Sequence, residues 1–138
     1  MAWTIITFTR GANFGAETLR QIRSATQENS FLLMLCTKVL TIWAIINIID
    51  EQSNPPEALL INADSYALDQ LAKLYDVMAR RFPKLKLICF TRNETRAKDV
   101  ADCFHYVIVD GNPSLLDTEL SNVLAEIRRN ERRDKSDA

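Results

Sequence analysis

The chain has 138 residues, 47% of them hydrophobic and 25% charged, with a formal net charge of −1 at pH 7. This length is one domain with room for a real core. The near-zero charge supplies no global field to recruit nucleic acid or anionic lipid. Three cysteines exclude a complete disulfide framework, and one histidine with no Cys-x-x-Cys excludes the usual metal-ligand spacings. Met1-Ala2-Trp3-Thr4 lacks the basic and apolar regions of a signal peptide, so the expected location is cytoplasmic, with reduced thiols.

Trp3 to Thr9 is β-branched and aromatic, which is strand composition, and Arg10-Gly11-Ala12-Asn13-Phe14-Gly15 breaks it. Leu19, Ile22 and Ala25 or Thr26 then recur at helical spacing. Phe31 to Thr37 shows no alternation and reads as a strand buried on both faces. The apolar stretch from Phe31 to Ile49 is long enough to cross a bilayer. Lys38 stands in its middle, however, where a charge costs about 2.5–3.5 kcal/mol. A strand followed by a buried helix over Val39 to Ile49 explains the same letters, so no membrane insertion is expected. Pro55-Pro56 ends that helix.

Ala58 to Asn62 is the third strand. The next helix shows Leu68, Leu71, Tyr75, Met78 and Phe82 at spacings of three and four, and Pro83 closes it. Leu85 to Thr91 is the fourth strand, and Asn93 caps a short helix seamed by Ala97, Val100, Ala101 and Phe104. Tyr106 to Val109 is the fifth. Asn112-Pro113 reads as an N-cap and first helical residue, opening a helix with Leu116, Leu120, Val123, Leu124 and Ile127 on its apolar seam. Five strands alternating with five helices call for a parallel sheet with helices on both faces. Residues 1–130 form this single domain, and 131–138 form a charged, flexible tail.

The stretch around which the chain is organised is Glu57-Ala58-Leu59-Leu60-Ile61-Asn62-Ala63-Asp64-Ser65. A buried strand that empties polar side chains at its carboxyl end, with a helix starting there, is where open α/β sheets place ligands.

Three stretches resemble the receiver domain of two-component response regulators, the flavodoxin-like CheY fold. Arg81 to Thr91 is similar to that family's proline-then-strand passage ending in Thr or Ser. Tyr106-Val107-Ile108-Val109 resembles its fifth strand, and Ala58-Leu59-Leu60-Ile61 resembles the strand leading to the phosphorylated aspartate. The resemblance implies a magnesium site and an aspartate nucleophile, because acyl-phosphate chemistry needs a carboxylate and magnesium wants oxygen ligands.

The chemical positions depart from that pattern. The acidic pair falls on Thr9-Arg10, with no carboxylate until Glu17. The nucleophile falls on Asn62, an amide, and the lysine on Val109 or Asp110; Thr91 alone keeps its match. Asp64 lies two residues past the nucleophile position, on the same side of the strand by parity, and reads as a helix N-cap.

Arg10 to Gly15 occupies the place of a phosphate loop but lacks both the Walker ending and the dinucleotide fingerprint. No cofactor or metal is expected. His105 has no nucleophile partner and reads as a strand-edge residue. The basic clusters Arg92, Arg96, Lys98 and Arg128, Arg129, Arg132, Arg133 read as solvated helix faces, which argues against nucleic acid. The helix with Trp43 and several isoleucines is apolar nearly all round, which predicts a second covering surface.

The sequence thus reads as a pseudo-receiver: a non-enzymatic signalling module that works through a protein partner or a homodimer. Its candidate interface residues are Leu40, Trp43, Ile46, Tyr106, Leu120 and Leu124. The alternative is a sensor or enzyme for a small molecule or nucleotide anion, built on Arg10, Asn62, Asp64 and Thr91.

Overall fold

A computed structural model describes residues 3–8, 15–36, 41–111 and 113–136, with side chains as far as residue 131. In chain order the elements are β1 (Trp3–Phe8), α1 (Ala16–Glu28), β2 (Phe31–Cys36), α2 (Ile42–Asp50) and β3 (Ala58–Asn62). A single 3-10 turn (Ala63–Ser65) follows, then α3 (Leu68–Arg81), β4 (Lys86–Thr91), α4 (Glu94–Asp99), β5 (Tyr106–Val109) and α5 (Leu116–Ser136). The strands form one parallel sheet in the order β2-β1-β3-β4-β5. This is the (βα)5 flavodoxin-like, CheY-like architecture that the alternation of patterns predicts.

Successive strand residues point to opposite faces, and the sheet sorts its apolar residues accordingly. Ile5, Ala58, Leu60, Ile88 and Ile108 meet α1 and α5, where Ile22, Ala25, Leu116, Leu120, Leu124 and Ile127 complete one core. Ile6, Phe8, Leu59, Ile61 and Leu87 face the other way, onto Ile42, Ile45, Ile46 and Ile49 of α2 and Leu71, Leu74 and Met78 of α3. All five residues of β3 are buried, as a central strand covered on both faces must be.

Four details differ from the sequence pattern. β2 is an edge strand rather than a doubly covered one, and Leu32 is 59% exposed. The buried face of α3 is Leu71, Leu74, Val77 and Met78; Leu68 is the first helical residue and points to solvent. Period alone could not tell these faces apart, because Leu68 to Leu71 and Leu71 to Leu74 have the same spacing. α4 is only six residues long and buries none of them, so Val100 and Phe104 reach the core from beyond its end while Ala101 stays exposed. α5 begins at Leu116, three residues after Pro113, and runs on to Ser136 through the stretch expected to be a tail. Asn112 lies outside the described residues.

The helix with Trp43 is covered on one side only. Its four buried isoleucines face the sheet, while Trp43 and Asn47 are exposed. Thr41 caps it by accepting from the Ala44 amide at 3.2 Å. α3 flanks it, with the Lys73 ammonium 5.7 Å from the Trp43 ring centroid and Arg81 paired with Asp50.

His105 does occupy a strand edge. Its backbone N–H donates to the Leu87 carbonyl at 2.9 Å, and its Nδ1 accepts from the Leu87 N–H at 2.9 Å, so the imidazole adds a rung to the β4–β5 ladder. Nδ1 can accept only in the neutral ring. Partial burial, reinforced by Lys86, lowers the His105 pKa from its usual value. The folded state therefore binds this proton less tightly than the unfolded chain. The rung's contribution is complete above about pH 6.5 and is lost as the pH falls through the lowered folded value. Replacing His105→Ala strands the buried Leu87 N–H and should cost about 1–3 kcal/mol. Urea unfolding at about pH 7.5 and about pH 5.5 checks this: wild type should lose stability over that interval, and the variant should start lower with a flatter response.

Candidate functional site

In a sheet of this order the chain reverses direction between β1 and β3, and the crevice for ligands lies outside the carboxyl ends of those strands. β3 ends at Asn62, which is 3% exposed. Its Oδ1 accepts from the Asp64 N–H at 3.1 Å and caps the 3-10 turn. The capping role expected of Asp64 thus belongs to Asn62, and α3 starts only at Leu68. The Nδ2 of Asn62 is buried without a hydrogen-bond partner among the described residues.

Asp64 reaches across to the end of the neighbouring strand. Its Oδ1 accepts from the Thr91 hydroxyl at 2.5 Å, and its Oδ2 accepts from the Arg92 N–H at 2.9 Å. Thr91 Oγ1 in turn accepts from the Asn93 N–H at 3.1 Å. Asn93 caps α4 by accepting from the amides of Thr95 and Arg96, as its position after a strand predicts. One carboxylate therefore ties the exit of β3 to the exit of β4.

A second carboxylate ties β5 to the opposite layer. Asp110 is 4% exposed; its N–H donates to the Thr91 carbonyl at 2.8 Å and its Oδ1 accepts from Ser114 Oγ at 2.6 Å. Ser114 Oγ accepts from Gln21 Nε2 at 2.9 Å, and Gln21 Oε1 accepts from the Asp117 N–H at 3.0 Å, joining α1 to the start of α5. The Arg92 guanidinium approaches Asp110 Oδ2 at 4.0 Å. Arg92, Asp110, Gly111 and Ser114 line a cavity of about 420 Å³ between the β4 and β5 exits.

The expected site residues fall as follows. Asn62, Asp64, Thr91 and Asp110 converge on the carboxyl edge of the sheet. Val109 is 38% exposed on edge strand β5 and offers no charge. Thr9 and Arg10 lie outside the described residues, as does Leu40. Of the interface candidates, Trp43 is 56% exposed, and Tyr106 is half-buried among the residues that meet α5. Ile46, Leu120 and Leu124 are 0–1% exposed and belong to the two cores, so they are removed from the interface set. Their helical seams are taken up by the sheet.

The donor set does not fit the magnesium ion that the receiver resemblance implies. The sequence places no carboxylate at the exit of β1, and Asn62 presents an amide at the exit of β3. Both oxygens of Asp64 are already accepting hydrogen bonds. Among the described residues, no group of three or more His, Cys, Asp or Glu side chains could hold a metal. Cys89, beneath this edge, is no nucleophile either, because burial pushes its thiol up to about 12.

Sequence reasoning missed the partners Arg92, Ser114 and Gln21. The Asp64–Thr91 pair could have been found by aligning the exits of two adjacent parallel strands. The Gln21–Ser114 contact spans 93 residues and leaves no local signal.

Hydrogen bonds to a charged acceptor contribute about 1.5–3 kcal/mol, and Asp64 is partly solvated. A double-mutant cycle of Asp64→Ala and Thr91→Val should give a coupling of about 1–2 kcal/mol in denaturant unfolding. Additive single effects would show that the contact does not hold the two exits together.

No family model and no curated protein matches the sequence. Solved structures do match. A pilus assembly-related protein from Burkholderia pseudomallei aligns at a TM-score of 0.67 and 16% identity, over 91% of this chain and 88% of that one. A response regulator receiver domain protein from Clostridium thermocellum gives 0.62 and 10%, covering 96% and 98%. The isolated receiver domain of RcsB from Salmonella enterica serovar Typhimurium, solved with a beryllofluoride phosphomimetic, gives 0.65 and 17%, covering 94% and 90%. Identities this low speak to the fold alone, and the fold they agree on is that of the response-regulator receiver domain.

Proposed function

We propose that this chain is a phosphorylation-independent receiver-like domain, a non-enzymatic signalling module that acts through protein contacts. The single observation that carries this reading is the Asn62–Asp64–Thr91 arrangement. The strand end that faces the crevice carries an amide, and the nearest carboxylate is held by Thr91 and the Arg92 N–H. An attack on phosphorus needs a free carboxylate oxygen with a metal beside it to neutralise the phosphoryl group. Asp64 has both oxygens engaged, and among the described residues no acidic cluster stands beside it to hold that metal. The receiver fold of the matched structures supports the signalling role. Among the described residues, no helix is long and apolar enough to cross a membrane.

Acetyl phosphate with magnesium tests the first half of this reading. Intact-mass spectrometry should detect no added phosphoryl group on the chain; stoichiometric modification at Asp64 overturns it.

The exposed surface of Trp43 supports the second half. A tryptophan 56% exposed on a helix whose other face is fully committed is a common anchor for binding. We assign it to contact with a second copy of this chain, since the homodimer needs no further component. Wild type should sediment with a concentration-dependent increase toward a dimer, and Trp43→Glu should remain a folded monomer. Identical sedimentation of the two proteins removes Trp43 from any self-contact.

A further inference from the structure

Leu87 is 1% exposed on β4, and both of its main-chain groups go to one residue. Its carbonyl accepts from the His105 N–H at 2.9 Å, and its N–H donates to His105 Nδ1 at 2.9 Å. β5 begins only at Tyr106, opposite Ile88, so the imidazole stands where a longer strand would have offered a main-chain carbonyl. A carbonyl accepts at every pH. An imidazole nitrogen accepts only while it carries no proton.

His105 closes the segment between α4 and β5, and that segment is thinly attached. α4 buries none of its six residues. Past its end, Val100 and Phe104 enter the core, while Ala101 and Asp102 are exposed. The Ala101 N–H donates to the Lys98 carbonyl and the Cys103 N–H to the Val100 carbonyl, both within the segment. The two bonds made by His105 are what tie its end to β4. His105 is itself exposed, so protons reach the ring. Lys86 of β4 acts on it, and from α3 it meets the Tyr75 ring at 5.9 Å between centroids. Neither is a carboxylate that could hold an imidazolium in place. A proton on Nδ1 sets two N–H groups against each other, and the ring must leave.

We propose that His105 is a proton-operated latch on the α4–β5 segment: the neutral ring holds residues 100–105 against β4, and protonation opens that segment locally while the sheet stays formed. This goes beyond the phosphorylation-independent reading and stands or falls separately from it. Burial, reinforced by Lys86, lowers the pKa of the closed ring, so the proton binds the open form better. The opening constant therefore rises as the pH falls, by at most about tenfold between about pH 7.5 and about pH 5.5.

Native-state amide exchange at these two pH values, each rate divided by its intrinsic value and followed against low denaturant, is the test. In wild type the Leu87 and His105 amides should exchange through an opening that is easier than that of the central β3 amides and almost independent of denaturant. Their protection should fall several-fold from the higher to the lower pH. His105→Asn places an amide oxygen near the Nδ1 position; it should keep more of the Leu87 protection than His105→Ala, and both variants should lose the pH dependence. Nitrogen NMR shifts of the wild-type imidazole give a reading that needs no variant: Nδ1 should gain its proton over the same pH range in which Leu87 loses protection. Three results overturn the proposal. One is a Leu87 amide that exchanges only with the denaturant dependence of the β3 amides, which makes the opening global. Another is a pH dependence of Leu87 protection that persists in His105→Asn. The third is an imidazole that titrates while Leu87 protection stays constant.

Discussion

Every strand of a parallel sheet empties its last residues at the same edge, and the polar groups gathered there must be satisfied by one another. That requirement governs this molecule. Asn62, Thr91 and Asp110 are each 0–4% exposed at three adjacent strand exits. A buried donor or acceptor left without a partner costs about 1–3 kcal/mol. Asp64 meets most of the demand, because an ionised carboxylate accepts from a hydroxyl and a backbone amide without donating anything back. Asp110 has the matching role at the next strand outward, accepting from Ser114 and lying near the Arg92 guanidinium. Among the described residues, the exits of β3, β4 and β5 are thereby joined to one another.

The same satisfaction bears on which of the described groups at this edge are held ready for chemistry. Reactivity at such a rim needs a group held ready but not consumed: a carboxylate with an open oxygen, a thiol near its thiolate, a metal with an exchangeable position. Asp64 has both oxygens engaged. Cys89 is driven by burial toward its neutral form. In the cavity of about 420 Å³ by Arg92, the Arg92 guanidinium and the Asp110 carboxylate face each other.

What the amino-acid sequence made legible follows from which contacts are local. The alternation of Trp3–Thr9, Ala58–Asn62 and Leu85–Thr91 with helical periods is a short-range signal, and the fold it implies is the one observed. The crevice residues Asn62 and Thr91 were also legible, because each terminates an apolar strand run. The role of Asp64 was not: an Asp after a strand looks like a cap, and its true donors lie 27 and 28 residues downstream. Three of the six interface candidates met a similar ambiguity. Ile46, Leu120 and Leu124 sit on strongly apolar seams, but a seam does not say whether the sheet or a partner covers it. β2 misled for the opposite reason, since an edge strand can be as apolar as a central one when only its side chains are read.

α2 shows where that ambiguity ends. A nine-residue helix with four isoleucines committed to the sheet has completed its core duty, and Ile42, Ile45, Ile46 and Ile49 supply all of it. Trp43 adds nothing to that core. Its ring is approached by the Lys73 ammonium at 5.7 Å, a contact whose contribution at an exposed site is about 0.5–1 kcal/mol. That does not offset the hydration of a large apolar ring left mostly in water. The ring lies at the start of α2, which follows the carboxyl end of β2 in the chain. A contact made there would be presented by a helix already committed to the sheet through its other face. The polar groups described at these strand ends are engaged with one another, and Trp43 stands exposed on a helix whose other face is committed to the sheet.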